Sequence, residues 1–256
     1  GRADVYKRQR QNHKGDTHMF KNICFNILMA FMLPVLWLGS GEVTALAAEV
    51  EYSKGSALEG ILQRGELRIG LEVGYMPFEM IDKRSGLRQK EVRHGGLRRK
   101  GRQLKLMGFD IDMGIEMAKA LGVKAVFVDT LWTSIIPALD LGRIDIIFGG
   151  MSVTEGRKKQ VDFAEPFMTV GQTILLNAEN EDRVKSYKDL NDPEFTVVSK
   201  PGTTGEEAVQ RLIPKATYET ANTEMEGATR VLEGKADAFV YDYPFNAVFV
   251  ALSPSN

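Results

Sequence analysis

The residues best equipped for chemistry in this chain are charged side chains that follow short apolar runs. Arg157 ends the stretch Gly149-Gly150-Met151-Ser152-Val153-Thr154-Glu155-Gly156-Arg157, and Asp242 stands in Tyr241-Asp242-Tyr243-Pro244. Glu72 precedes Val73-Gly74-Tyr75, and Lys200 opens Lys200-Pro201-Gly202-Thr203-Thr204-Gly205. A guanidinium with nearby N–H donors answers a buried carboxylate, and a carboxylate answers a buried ammonium. Arg157, with the N–H groups of Ser152 and Thr204 and the helix N-terminus after Gly205, therefore suits one end of a free amino acid, and Asp242 the other. Tyr75 and Trp132 offer flat faces for a side chain. Each feature also has a plain structural reading. Arg157-Lys158-Lys159 could be a solvated helix face, Asp242 a helix cap, Gly202–Gly205 a turn and Trp132 core. Their joint position after strand ends favours a binding site.

Other chemistry is excluded by residue type. The three histidines are His13, His18 and His94, and the one cysteine is Cys24. All four fall in an N-terminal leader or in a basic insertion, so His-based catalysis, thiolate chemistry, disulfides and a zinc site are not expected in the body of the chain. Cofactor and metal are accordingly none. The net charge of −1 hides an asymmetry: residues 1–47 sit at +3, residues 84–105 at +8, and the rest at about −12. An acidic body argues against a nucleic-acid partner, because a phosphate backbone needs a basic face.

The elements that must position these residues alternate between strand and helix. Glu66–Val73, Val123–Val128, Ile144–Phe148, Phe195–Ser199 and Ala236–Tyr241 read as strands. Asp110 can cap a helix with Ile111, Ile115, Ala118 and Leu121 on one face and Gly122 as its stop. Further helices are expected over Thr133–Leu141, Gly205–Leu212 and Thr223–Glu233. The pattern predicts an α/β protein with mainly parallel sheets flanked by helices. Leu141-Gly142-Arg143-Ile144-Asp145 and Glu233-Gly234-Lys235-Ala236-Asp237 repeat one turn: a cap glycine, a basic residue, a spacer and an Asp opening a strand. Two lobes of similar construction would explain the repeat, as would coincidence between two ordinary turns. In open α/β sheets ligands bind outside the carboxyl ends of the strands, so two such lobes would form a cleft.

The first 47 residues read as leader. Lys21, an apolar run from Ile23 to Leu38 and the small-residue end Ala45-Leu46-Ala47 have the three parts of a signal peptide over residues 19–47. The alternative is a membrane anchor, for which the run is short of the roughly 20 residues a bilayer requires. Residues 1–18 resemble translated non-native sequence. Lobe 1 is expected over residues 48–172, with the basic insertion 84–106 as a solvated loop or a membrane or partner contact, and lobe 2 over 173–256.

From Glu66 to about Phe249 the chain resembles the family 3 extracellular solute-binding proteins, the type II periplasmic receptors for polar amino acids. The resemblance rests on Gly108-Phe109-Asp110-Ile111-Asp112-Met113, on Trp132-Thr133-Ser134-Ile135-Ile136-Pro137-Ala138-Leu139, and on the run from Asp145 through Pro166-Phe167. It implies a two-lobed type II periplasmic binding protein fold with the ligand cleft between lobes. Arg157 would clamp the ligand carboxylate, with Gly150 and Ser152 adding contacts. Thr204 would bind at a helix start and Asp242 would hold the ammonium. Tyr75 and Trp132 would line the side-chain pocket, with Glu72 and Lys200 as possible side-chain contacts. The implied protein is a monomer of the periplasm or cell exterior that performs no chemistry and delivers a polar amino acid to an ABC permease in the membrane. A signalling receptor's ligand-sensing module and a cyclohexadienyl-type dehydratase are the alternatives. Family chains return to lobe 1 through a second crossing strand after the one expected near Met168–Asn177. This chain stops at Asn256 and looks truncated, so an open sheet edge and incomplete cover of Ile69, Leu71 and Val126 are expected.

Overall fold

The computed structural model describes residues 52–81, 92–94 and 106–253, within one compact unit spanning residues 50–256. The expected leader lies outside the described residues. So does most of the basic insertion 84–106, of which only the backbone of Val92–His94 and residue Leu106 are described.

The first half opens with helix α1 (Ala57–Arg64), where the Ser56 side chain accepts from the Glu59 N–H and left-handed Gly65 closes the last turn. Strand β1 (Glu66–Leu71) follows, then the short strands β2 (Met80–Ile81), β3 (Val92–His94) and β4 (Leu106–Met107). Helix α2 (Phe109–Ala120) leads into β5 (Lys124–Asp129), a 3-10 turn at Trp132–Ser134 runs into α3 (Ile135–Asp140), and β6 (Ile146–Ile147) ends the unit. The sheet has the order β3-β5-β1-β6 with every pair parallel, while β2 and β4 form a separate antiparallel pair.

A one-turn helix α4 (Glu155–Lys158) precedes the second half, which begins with β7 (Gln172–Leu176). Then come β8 (Thr196–Ser199), α5 (Thr204–Leu212), β9 (Thr217–Thr220), α6 (Glu224–Leu232), β10 (Ala238–Asp242) and α7 (Tyr243–Leu252). This sheet runs β7-β10-β8-β9. The pairs of β8 are parallel, and β7 is antiparallel to β10. Each half thus contains a βαβαβ unit whose first strand lies in the middle, β5-β1-β6 and β9-β8-β10. That order places a switch point at the carboxyl end of each central strand.

The repeated turn noted in the sequence is a repeated set of hydrogen bonds. Asp145 accepts from the Arg68 N–H at 2.7 Å, and Asp237 from the Thr196 N–H at 2.7 Å. In return the Asp145 and Asp237 N–H groups donate to the Arg68 and Thr196 carbonyls. Each carboxylate thereby pins the start of its half's central strand. The register agrees, since Ile69 pairs with Ile146 as Val197 pairs with Ala238.

Several expectations need correction. Asp110 does not cap a helix. It lies inside α2, whose N-cap is Gly108 with no side-chain bond, and its carboxylate accepts instead from the Gly150 N–H at 2.8 Å. Ile69, Leu71 and Val126 are fully buried. Ile61, Ile111, Ala118 and Phe127 cover the first two, and Ile135, Ala138 and Ile144 cover Val126, so the unit's own helices shield both sheet faces. Burial of each such side chain contributes about 1.5–3 kcal/mol. The strand expected over Ile144–Phe148 contracts to Ile146–Ile147, and that expected within Met168–Asn177 is β7. Strand β9 was not foreseen.

Candidate functional site

The loops that leave the two sets of strand ends converge on one small cavity, partly open to solvent. Glu72, Tyr75, Trp132, Gly150, Ser152 and Arg157 line it from the first half. Lys200, Thr204 and Asp242 line it from the second. All nine sequence-expected site residues are therefore brought together.

At one end stands Arg157, buried where α4 begins. Thr154 caps that helix by accepting from the Arg157 N–H, which fixes the direction of the side chain. The guanidinium donates through Nη1 to the Ser152 carbonyl at 2.8 Å and through Nη2 to the Gly202 carbonyl at 3.0 Å. It also lies over the Trp132 ring at 5.2 Å, while Trp132 Nε1 donates to the same Gly202 carbonyl at 2.9 Å. Two of the five N–H donors of a guanidinium are thus committed. Burial holds the Arg157 pKa below the usual guanidinium value, and Glu207 and Asp242 oppose that shift.

Asp242 ends β10 and stands at the N-cap of α7, yet makes no capping bond. The Tyr75 hydroxyl donates to its Oδ2 at 2.6 Å, and the Gln172 amide donates to Oδ1. Gln172 also donates to Thr204 Oγ1 at 2.9 Å, joining the start of α5 to this cluster. Burial raises the Asp242 pKa, opposed by the bonds from Tyr75 and Gln172 and by the charge of Arg157. Tyr75 is thereby a tether for Asp242 as well as a cavity wall.

The other end is a buried ionic cluster. Lys200 Nζ donates to Glu72 Oε2 at 2.5 Å and to Glu224 Oε1 at 2.6 Å, and the Tyr241 hydroxyl donates to Glu224 Oε1 at 2.9 Å. Glu72 and Lys200 hold equivalent places in the two units. The residue before each, Leu71 or Ser199, accepts through its carbonyl from the chain leaving the neighbouring strand, at Thr130 or Ala221. Burial raises the Glu72 pKa against the opposing pull of Lys200.

Under the cavity lies a carboxyl pair. Glu79 and Asp110 are 1% and 0% exposed. Burial, then the neighbouring Asp110 charge, lifts the Glu79 pKa well above the carboxylate range, and Glu79 Oε2 and Asp110 Oδ1 are both buried without a hydrogen-bond partner among the described residues. Burial raises Asp110 to about 6, against the Gly150 N–H bond that favours its charged form. Gly150 itself must be glycine, with φ at +61° and a Cβ that would lie 2.3 Å from the Tyr75 ring. Because its N–H is spent on Asp110, Gly150 has only its carbonyl to offer the cavity.

Glu79, Thr203, Glu224 and Tyr241 line the cavity and were missed. Glu224 opens the helix after β9, and recognising that strand would have exposed it. A Glu directly after Pro77-Phe78 in an apolar stretch was the available signal for Glu79.

Comparison with known proteins adds the family. The model for bacterial extracellular solute-binding proteins, family 3, matches residues 97–239, more than half of the chain. An ancestral amino acid-binding protein, described as a precursor of cyclohexadienyl dehydratase, is 42% identical with a TM-score of 0.68, over 77% of this chain and 78% of that one. The binding component of an ABC transporter from Wolinella succinogenes, described as putative and complexed with lysine, is 44% identical with a TM-score of 0.63, over 74% and 73%. Cyclohexadienyl dehydratase of Pseudomonas aeruginosa is 26% identical over 77% of this chain and 66% of its own length, so the chain spans just under two thirds of that relative.

Proposed function

The chain belongs to the bacterial extracellular solute-binding proteins of family 3 and has their two-lobed α/β fold, and from that premise we propose that it is an amino-acid receptor. It binds a polar amino acid between the two βαβαβ units, without chemistry, and hands it to an ABC permease from the periplasm or cell exterior. One observation carries the reading: a buried guanidinium, Arg157, and a buried carboxylate, Asp242, line one cavity from opposite halves. They are the counter-charges of an α-carboxylate and an α-ammonium, and the low dielectric around them strengthens both pairings. The lobe division near residue 172 and the hinge through it belong to the same proposal. Closure would bring Gly202 onto Arg157 and Trp132, contacts that join the halves directly.

The dehydratase relative gives a second reading its substance. A buried carboxyl with a raised pKa, Glu79, lines the cavity and could serve as a general acid. Its near-complete burial favours a structural role.

The test is calorimetric titration of amino acids into the wild type, Arg157→Ala and Arg157→Lys. Arg157→Ala should lose about 3–5 kcal/mol of binding, since it strands the ligand carboxylate in a buried site. Arg157→Lys should lose much of the same energy, because an ammonium lacks the bidentate fork. Unchanged affinity in either variant would remove Arg157 from the site. Turnover of a cyclohexadienyl substrate would favour the enzyme.

A further inference from the structure

We propose that Glu224, through Lys200, sets the charge selectivity of the cavity: the Lys200 ammonium is a built-in cation at the side-chain end, so the protein takes an amino acid with an uncharged polar side chain and turns away lysine and arginine. The inference rests on the amino-acid reading above and deepens it.

Lys200 is 3% exposed and bridges carboxylates from both halves, Glu72 at 2.5 Å and Glu224 at 2.6 Å. Glu224 is itself buried and held by the Tyr241 hydroxyl, and the Thr203 hydroxyl donates to the Lys200 carbonyl, so backbone and ammonium are both fixed. The two carboxylates that would draw in a cationic side chain therefore already hold a cation. A second ammonium or guanidinium would sit against the first in a buried site, where like charges repel strongly. An acidic side chain fares no better, because it would lie against the buried carboxylates of Glu72 and Glu224 that already hold the ammonium. An ammonium has three N–H donors, and with two engaged the third remains for the oxygen of an amide or hydroxyl. The excess carboxylate oxygens accept from the same group. Glu224 lines the cavity and holds Lys200 in place, so it acts on the ligand through the ammonium as well as directly.

The experiment is calorimetry on the full chain with glutamine, serine, glutamate, lysine and arginine as probes. It compares the wild type with Lys200→Met, Glu224→Gln and the double variant Lys200→Met/Glu224→Gln. The wild type is expected to bind glutamine or serine at least about tenfold more tightly than lysine or arginine. Lys200→Met should move the lysine-to-glutamine affinity ratio about tenfold or more toward lysine, because it frees Glu72 and Glu224 for an incoming cation. Should two unpaired buried carboxylates unfold that variant, the double variant keeps Glu72 as the only free charge and should show the same shift. Glu224→Gln retains an acceptor for the Tyr241 hydroxyl and removes a negative charge beside Lys200, so it should widen the preference for glutamine over lysine. Tighter binding of lysine, arginine or glutamate by the wild type overturns the proposal. A ratio that neither Lys200→Met nor the double variant moves overturns it also, while leaving the amino-acid reading standing. Failure of every probe to bind the wild type overturns both.

Discussion

The units built on β1 and on β8 share strand order, register and the aspartate that pins the central strand, yet their strand ends present different chemistry. The first supplies Arg157, two aromatics and Glu72, and the second supplies Asp242, Lys200 and Glu224. The pairs at equivalent places are complementary rather than alike. Glu72 and Lys200 bond to each other. Gly150 and Asp242, five residues past the pinning aspartates, contribute a close seat for the Tyr75 ring and a charge. Backbone geometry constrains the turn before a strand, because its N–H and C=O groups must be satisfied. No such constraint acts past the carboxyl end, and there the two units have diverged into two halves of one site.

Three measurements would break or sharpen this comparison. The largest effect is expected at the shared feature. Asp145→Ala and Asp237→Ala should each destabilise the protein by about 3 kcal/mol, since each orphans a backbone N–H and removes a second donor's partner. Urea titration should find the two losses similar, and amino-acid affinity should hardly change under folding conditions. A large loss at only one site would mean that the repeated turn is a likeness of sequence alone.

A smaller effect is expected where the halves differ. Gly150→Ala would press a Cβ to 2.3 Å from the Tyr75 ring at a left-handed backbone position. Tyr75 tethers Asp242, so the variant should lose about 2 kcal/mol of ligand affinity as well as stability. Gly227→Ala in α6 meets Phe239 at the same 2.3 Å but away from the cavity, and should cost stability without an equal change in affinity of the folded protein. Equal affinity losses would show that the cavity is not locally tuned.

The smallest effect concerns the carboxyl pair, which the first half has and the second lacks. A carboxyl group with a raised folded-state pKa binds a proton that the unfolded chain has released. Its contribution to stability is full below the unfolded pKa and is lost as pH rises through the folded one. For Asp110 the window runs from 3.8 to about 6, and for Glu79 it runs upward from 4.5. Glu79→Gln puts an amide beside Asp110 and cannot ionise. Relative to wild type, it should gain on the order of 1 kcal/mol per pH unit as pH rises above 4.5. Urea unfolding at several pH values would check this, and a difference independent of pH would show that Glu79 does not titrate.

Elements that bury an apolar face were legible in the sequence. Strands β1, β5, β8 and β10 and helices α2, α5 and α6 lie within a few residues of their expected positions, because hydrophobic period and cap residues report burial directly. Strand β9 escaped for the same reason, since Thr217, Glu219 and Thr220 are exposed and Tyr218 only half-buried. Glu224, the first residue of α6, escaped as a site residue with it.

The sequence by itself determined the α/β alternation, the repeated aspartate turn, and the types of charge available after each strand, because these depend on local backbone chemistry and on periodicity. It could not decide which charges would meet. Lys200 finds Glu72 across 128 positions and Glu224 across 24, Tyr75 finds Asp242 across 167, and Asp110 leaves its own helix for Gly150. Such pairings are set by how two sheets place their strand ends around a shared space. Only there does burial make an unpaired charge costly enough to select one partner over water.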